Sequence, residues 1–125
     1  MAISTTEKDI FTTFDCASTA YVFNEAGETD HTAVQIDVAD YNEITAAFWL
    51  ETLASTSAEF IVLGKVGSIW GTLYYKSYSA AETYGEIIPI SVERVSFIAI
   101  GVKVTANASG DKLHASVALS NTTYN

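Results

Sequence analysis

The chain has one cysteine, one proline, two histidines and only six basic residues among 125, and each shortage removes a class of function. Cys16 alone cannot close an internal disulfide, and without a CxxC spacing or a Cys/His neighbour it offers no thiolate zinc site. It is expected to serve as a small buried hydrophobe. Six Lys and Arg against fifteen Asp and Glu leave a net charge of −9. That balance repels phosphate backbones and anionic membrane surfaces, which proteins hold with Lys and Arg, so neither nucleic acid nor a membrane is expected as a partner. The acid surplus suits solubility, or attraction to a basic protein surface. No stretch approaches the ~20 apolar residues of a membrane span. The opening residues Met1 to Asp9 show neither the basic n-region nor the apolar h-region of a secretory leader, so synthesis in a cytoplasm is expected.

Motifs for chemistry are equally scarce. His31 and His114 stand in no GxSxG or HExxH setting, and His114 falls on the outward parity of its strand, as a surface or cross-strand histidine does. Gly64-Lys65-Val66-Gly67-Ser68 lacks the spacer and the GK[ST] ending of a P-loop and reads as a turn. The stretch Asn24-Glu25-Ala26-Gly27-Glu28-Thr29-Asp30-His31 carries oxygen ligands and a glycine, but not at EF-hand spacing, and a solvated acidic loop is the plainer reading. Glu51, Glu59, Glu82, Glu86 and Glu93 could act as a glycosidase pair only if the fold brought two of them together. Asn107-Ala108-Ser109 and Asn121-Thr122-Thr123 match a glycosylation acceptor, which matters only in a secreted chain. No catalytic group, metal or cofactor is expected, and a small hydrolase stands only as a distant alternative.

What the chain does have is apolar content, 49% against 17% charged, arranged with period two, so a folded all-β domain follows. Val34, Ile36 and Val38 alternate with polar neighbours and predict a strand over 33–38, closed by Asp40-Tyr41-Asn42. Ile44, Ala46, Phe48 and Leu50 predict a central strand, apolar on both faces near its end. Phe60 to Leu63, stopped by Gly64, and Thr72 to Tyr75 predict a hairpin. Pro89 inside Ile87-Ile88-Pro89-Ile90-Ser91-Val92 predicts an edge strand, where a missing N–H is harmless. Ile98 to Val104 and Leu113 to Leu119 predict a C-terminal hairpin turned at Asn107 to Asp111. Residues 10–14 and 20–23 add two weaker strands. About eight short strands without repeat or linker predict an antiparallel β-sandwich, of which the jelly roll is one form.

Residues 77–85 lack periodicity and predict a loop or a single helical turn. Residues 1–20 form an N-terminal arm or a first strand, and 21–125 a single sandwich domain. The expected contact surfaces are the arm with Ile3, Ile10, Phe11 and Phe14, the 77–85 loop with Tyr78 and Tyr84, and the Pro89 edge. Trp70 and Tyr75 offer an alternative, the sugar-stacking platform of a carbohydrate-binding or host-attachment module. Tyr74 and Tyr75 point to opposite faces, so only one can join Trp70 without a bulge, and strand aromatics more often pack inside.

Val38-Ala39-Asp40-Tyr41-Asn42-Glu43-Ile44-Thr45 leading into an apolar strand, a Gly-Ser turn ahead of Trp70, and Val95 to Thr105 before the last strand together resemble small β-sandwich structural domains of bacteriophage virions, such as head decoration or cement and tail-associated proteins. The resemblance implies a capsid decoration protein located in the virion. It further implies the major capsid or other virion proteins as partners, a homo-oligomer, with a trimer by analogy, and no catalytic residues to transfer.

Overall fold

The computed structural model describes residues 2–105 and 110–123, with side chains from residue 5 to residue 121. Eight strands follow in order: β1 (Ala2–Asp15), β2 (Ile36–Asp37), β3 (Glu43–Thr52), β4 (Ala58–Val66), β5 (Ile69–Tyr78), β6 (Glu86–Ser91), β7 (Phe97–Val104) and β8 (Lys112–Thr123). Their pairing is concentric. β4 and β5 make the inner hairpin, turned at Gly67-Ser68 with Gly67 at φ 62°, a conformation glycine adopts without strain. Outside it β3 pairs β6, then β2 pairs β7, then β1 pairs β8. The chain is thus one long hairpin, and rolling it up sets β8 beside β3 and β7 beside β4. The product is two antiparallel four-stranded sheets, β1-β8-β3-β6 (sheet A) and β2-β7-β4-β5 (sheet B), the jelly-roll arrangement.

The core lies between the sheets and is built by parity. Ile44, Ala46, Phe48 and Leu50 of β3 face it, as do Leu113, Ala115, Val117 and Leu119 of β8, opposite Phe60, Val62, Ile98, Ile100 and Val102 of sheet B. Phe48 meets Phe60 across the layers at 4.9 Å between ring centroids. Cys16 is fully buried, and burial pushes its thiol pKa up, as for an inert core thiol. Pro89 sits on β6 at the edge of sheet A, as its missing donor requires.

Four expectations need correction. The strongest is the C-terminal hairpin: β7 and β8 form where expected but belong to opposite sheets, so the connection after Thr105 crosses the sandwich. Alternation reports which face of a strand is buried, not which strand lies beside it. The strand over 33–38 shrinks to β2, because Asp30 accepts hydrogen bonds from the Thr32 N–H (3.0 Å) and hydroxyl (2.7 Å) and starts a 3-10 helix at His31–Val34. The 20–23 strand reduces to one bridge, Val22 to Val102. The 77–85 loop begins only after Tyr78, which closes β5. The arm segment Ala2–Asp15 is β1, paired along its length to β8 with register shifts around Phe11.

Candidate functional site

Two outward faces carry exposed apolar side chains. On sheet A the register places Ala47 of β3 between Ile87 of β6 and Ser116 of β8, and Thr45 between Pro89 and Ala118. Small residues keep the centre of this face low. The large ones stand at its margin, with Ile87 74% and Tyr84 84% exposed. Ile87 rises between two shallow hollows of about 350 and 340 Å³, one reaching Trp49, Tyr84 and His114, the other Thr45, Ala118 and Glu7.

Tyr84 is held there by the β5–β6 loop, which is pinned onto β3. The Trp49 indole N–H donates to the Glu82 carbonyl at 2.8 Å, and the Glu82 N–H donates to the Leu50 carbonyl at 2.9 Å. His114 stacks on Trp49, with centroids 4.6 Å apart and planes 22° off parallel. Its Nδ1 accepts from the Thr13 N–H at 3.3 Å, which leaves the ring proton on Nε2, 2.9 Å from Glu51. A histidine acting as general base presents a free lone pair to its substrate. Here both ring nitrogens are engaged by the protein, so the pair positions Trp49 rather than activating a nucleophile. Thr13 takes φ 48°, a strained value for a β-branched residue, where β1 shifts register.

The outer face of sheet B holds the aromatic residues. Val62 lies opposite Tyr74 and Leu63 opposite Thr72, which leaves Leu73 as a bulge in β5. Gly64 explains it: an added Cβ there would sit 2.7 Å from a Leu73 methyl, so Leu73 fills the space that glycine leaves. The extra residue reverses parity, so Trp70 (opposite Lys65) and Tyr75 (opposite Ile61) share one face with Thr72 between them. Tyr75 is 49% exposed, and its hydroxyl donates to Glu59 at 2.5 Å. The Trp70 and His31 rings meet nearly perpendicular with centroids 4.6 Å apart, and the row of rings continues through Phe23 to Tyr21. Burial and nearby Glu59 push the Tyr21 phenol up to about 12.

On one side the sandwich is clamped shut. Glu86 of β6 accepts from the Tyr78 hydroxyl at 2.8 Å and the Tyr74 hydroxyl at 3.4 Å, and pairs with Lys76 at 3.5 Å, tying β5 to β6. The Tyr78 hydrogen bond, with help from Lys76, lowers the Glu86 pKa; burial and the same bond raise that of Tyr78.

Of the residues singled out in the sequence, Tyr84 and Pro89 are exposed on or beside sheet A. Phe11 (1% exposed) and Tyr78 (5%) are core residues and present nothing to a partner. Ile10 and Phe14 are half-buried against the core. The Ile3 side chain lies outside the described residues, as does the Asn107-Ala108-Ser109 sequon. The carboxylates of the 24–31 loop accept from individual backbone N–H groups: Glu25 from Thr12, Glu28 from Asp30, and Asp30 from Thr32. Among the described residues no three His, Cys, Asp or Glu gather as a metal site would require. Ile87 and Trp49 were missed as surface residues. Their signal was parity, since Ile87 shares a face with Pro89, and Trp49 lies opposite Phe48 in β3.

No family model matches the chain, and no curated protein matches it. Among solved structures it is similar to the SPBc2 prophage-derived protein YomS, with TM-score 0.60 and 11% identity over 97% of this chain and 96% of that one. It is also similar to infectious bursal disease virus, Gx strain, with TM-score 0.53 and 6% identity over 95% of this chain and 32% of that one. At these identities the likeness is one of fold: the chain has the jelly roll seen in a phage-derived protein and in part of a virus protein about three times its length.

Proposed function

We propose that this protein is a non-enzymatic structural component of a virion. In this reading it is a capsid decoration or cement protein, made in the host cytoplasm, that binds the major capsid protein or another virion protein and stabilises the shell. The observation that carries the proposal is the outer face of sheet A, where Tyr84 and Ile87 stand exposed around a low floor of Thr45, Ala47, Ser116 and Ala118. Exposed aromatic and aliphatic side chains around a flat centre suit a protein interface, and a charge of −9 steers the domain toward a basic neighbour. The protein then acts as a homo-oligomer, a trimer by analogy, whose copies cover a junction between shell subunits.

The variant Tyr84→Ala/Ile87→Asp tests this. Both side chains are exposed, so unfolding stability should stay within about 0.5 kcal/mol of the parent. Incorporation into particles purified from cells that make the protein should fall by about tenfold or more. Wild-type incorporation of the variant sinks the proposal.

A second reading, a sugar-binding or host-attachment module, draws on the Leu73 bulge, which brings Trp70 and Tyr75 onto one face. It predicts saturable glycan binding lost in Trp70→Ala, measured on a glycan array. No binding by the parent protein removes it.

A further inference from the structure

Opposite the Glu86 clamp the sandwich opens, and there the hydrogen-bond ladder of sheet B is interrupted at a single residue. The backbone groups of a β-strand residue point to one side and alternate along the chain. In β7 the even-numbered residues turn away from β4. Ile98 lies opposite Ile36, Val102 exchanges both bonds with Val22 at 3.0 Å, and the Val104 N–H reaches Ser18; just before the strand, the Ser96 carbonyl accepts from Val38 while its N–H donates to Lys65 of β4 at 2.9 Å. Ile100 has the same parity but no partner among the described residues. The position that would face it, Val34, has been drawn into the 3-10 helix. Ile100 is 2% exposed, and its outward-turned N–H and C=O lack a ladder bond. An unpaired backbone donor and acceptor inside a sheet are a standing invitation to a partner that can satisfy them.

A cleft of about 440 Å³ lies against this residue, walled by Ile10, Phe23, Val34 and Ile36 and bordered by Asp9 and Asn24. Lys8 stands at its mouth. Lys8 lies opposite Val117, an inward position, so its side chain leans over the opening, and among the described residues it forms no ion pair. Its neighbour Asp9 turns to the other face and accepts from the Ser116 hydroxyl at 2.6 Å.

We propose that this cleft binds the apolar C-terminus of a partner protein as a short added strand segment. The backbone of that segment pairs with Ile100, its side chains fill the apolar walls, and its terminal carboxylate meets Lys8. The two flanking pairings limit the length. From Ile98 to Val102 the strand spans roughly 13 Å, so only two or three residues fit between Ile36 and Val22, and a chain passing straight through would collide with them. A chain end fits where a continuous strand does not, and the ammonium of Lys8 selects the carboxyl end. The inference concerns a different surface from the face of sheet A and stands or falls separately.

Amide hydrogen exchange of the full chain, followed by NMR, reads the site directly. In the free protein the Ile100 amide should exchange at least about tenfold faster than those of Ile98 and Val102. The probe is acetyl-Val-Ile-Val with a free carboxylate at up to about 1 mM; it should slow Ile100 exchange and shift its resonance. The same tripeptide as its C-terminal amide, or the parent peptide with Lys8→Ala, should bind about tenfold more weakly, while Ile100 exchange in unliganded Lys8→Ala stays fast. Hexanoate, which has the charge and the apolar chain but no amides, should leave Ile100 exchange unchanged. Protection of Ile100 equal to that of its neighbours in the free protein, no response to the tripeptide, or an equal response to hexanoate would each overturn the proposal.

Discussion

Phe48→Ala lowers the unfolding free energy by about 4 kcal/mol, within the range of roughly 3–5 for a buried ring truncated to a methyl group. Phe48 is 1% exposed on the central strand β3 and touches both layers. It packs at 4.9 Å from Phe60 and lies parallel to Tyr74 at 6.0 Å, 7° between planes. Its hole can close only if the sheets approach, and the other buried side chains between them, Phe60, Val62, Leu50 and Ile100 among them, keep the layers at their spacing. Urea unfolding should show a lower midpoint at unchanged slope, since the surface exposed on unfolding hardly changes. Phe48→Leu, which refills most of the space, should lose less than about half as much. A loss below about 2 kcal/mol for the alanine variant would mean that the layers collapse onto the gap.

Asp111→Ala costs about 3 kcal/mol, because it removes a buried charged acceptor that serves three donors at once. Asp111 is fully buried at the entry to β8. Its carboxylate accepts from the Ala54 N–H at 2.7 Å, the Ser55 N–H at 2.9 Å and the Ser55 hydroxyl at 2.7 Å, while its backbone carbonyl accepts from the Cys16 N–H at 3.1 Å. The side chain therefore ties the β3–β4 loop to the entry of β8, while the main chain of the same residue holds the exit of β1. Asp111→Asn keeps one acceptor oxygen and should lose about half as much. Amide exchange at Ala54 and Ser55 should rise in the alanine variant by an amount matching its loss of stability. A loss under about 1 kcal/mol would show that water replaces the carboxylate.

These two residues also mark how far the sequence could be read. The alternation of Ile44, Ala46, Phe48 and Leu50 names its own buried face, and Pro89 names an edge, because each signal is local. Asp111, by contrast, looks like one more turn aspartate after Gly110. Its role depends on residues 54 and 55, which only the roll of the chain brings near. The same holds for the pairing of β7 and β8, since a connection of a few residues can make a hairpin or cross between sheets. The parity reversal at Leu73 arises from Gly64 on the neighbouring strand, so counting along β5 alone puts Trp70 and Tyr75 on opposite faces. The sequence signal failed at Val34 as well, where the cap supplied by Asp30 outweighed a regular apolar alternation, and that local choice interrupts the ladder at Ile100. Of the expected contact surfaces, Tyr84 and Pro89 were legible as loop and edge positions. Phe11 and Tyr78 were not, because an aromatic residue in a strand looks the same from outside and inside until its partners are known.

The concentric pairing has a practical consequence for attachment. Ala2 lies opposite Thr123 on the outermost pair of the rolled hairpin, at the edge of sheet A away from β6. A tag, tether or fused domain joined next to either residue leaves the sandwich from one corner, two or three strand spacings, about 10–14 Å, across the sheet from the row of Ile87 and Pro89. Cargo can therefore be carried from both ends of this stretch at once without covering the margin where Tyr84 and Ile87 stand.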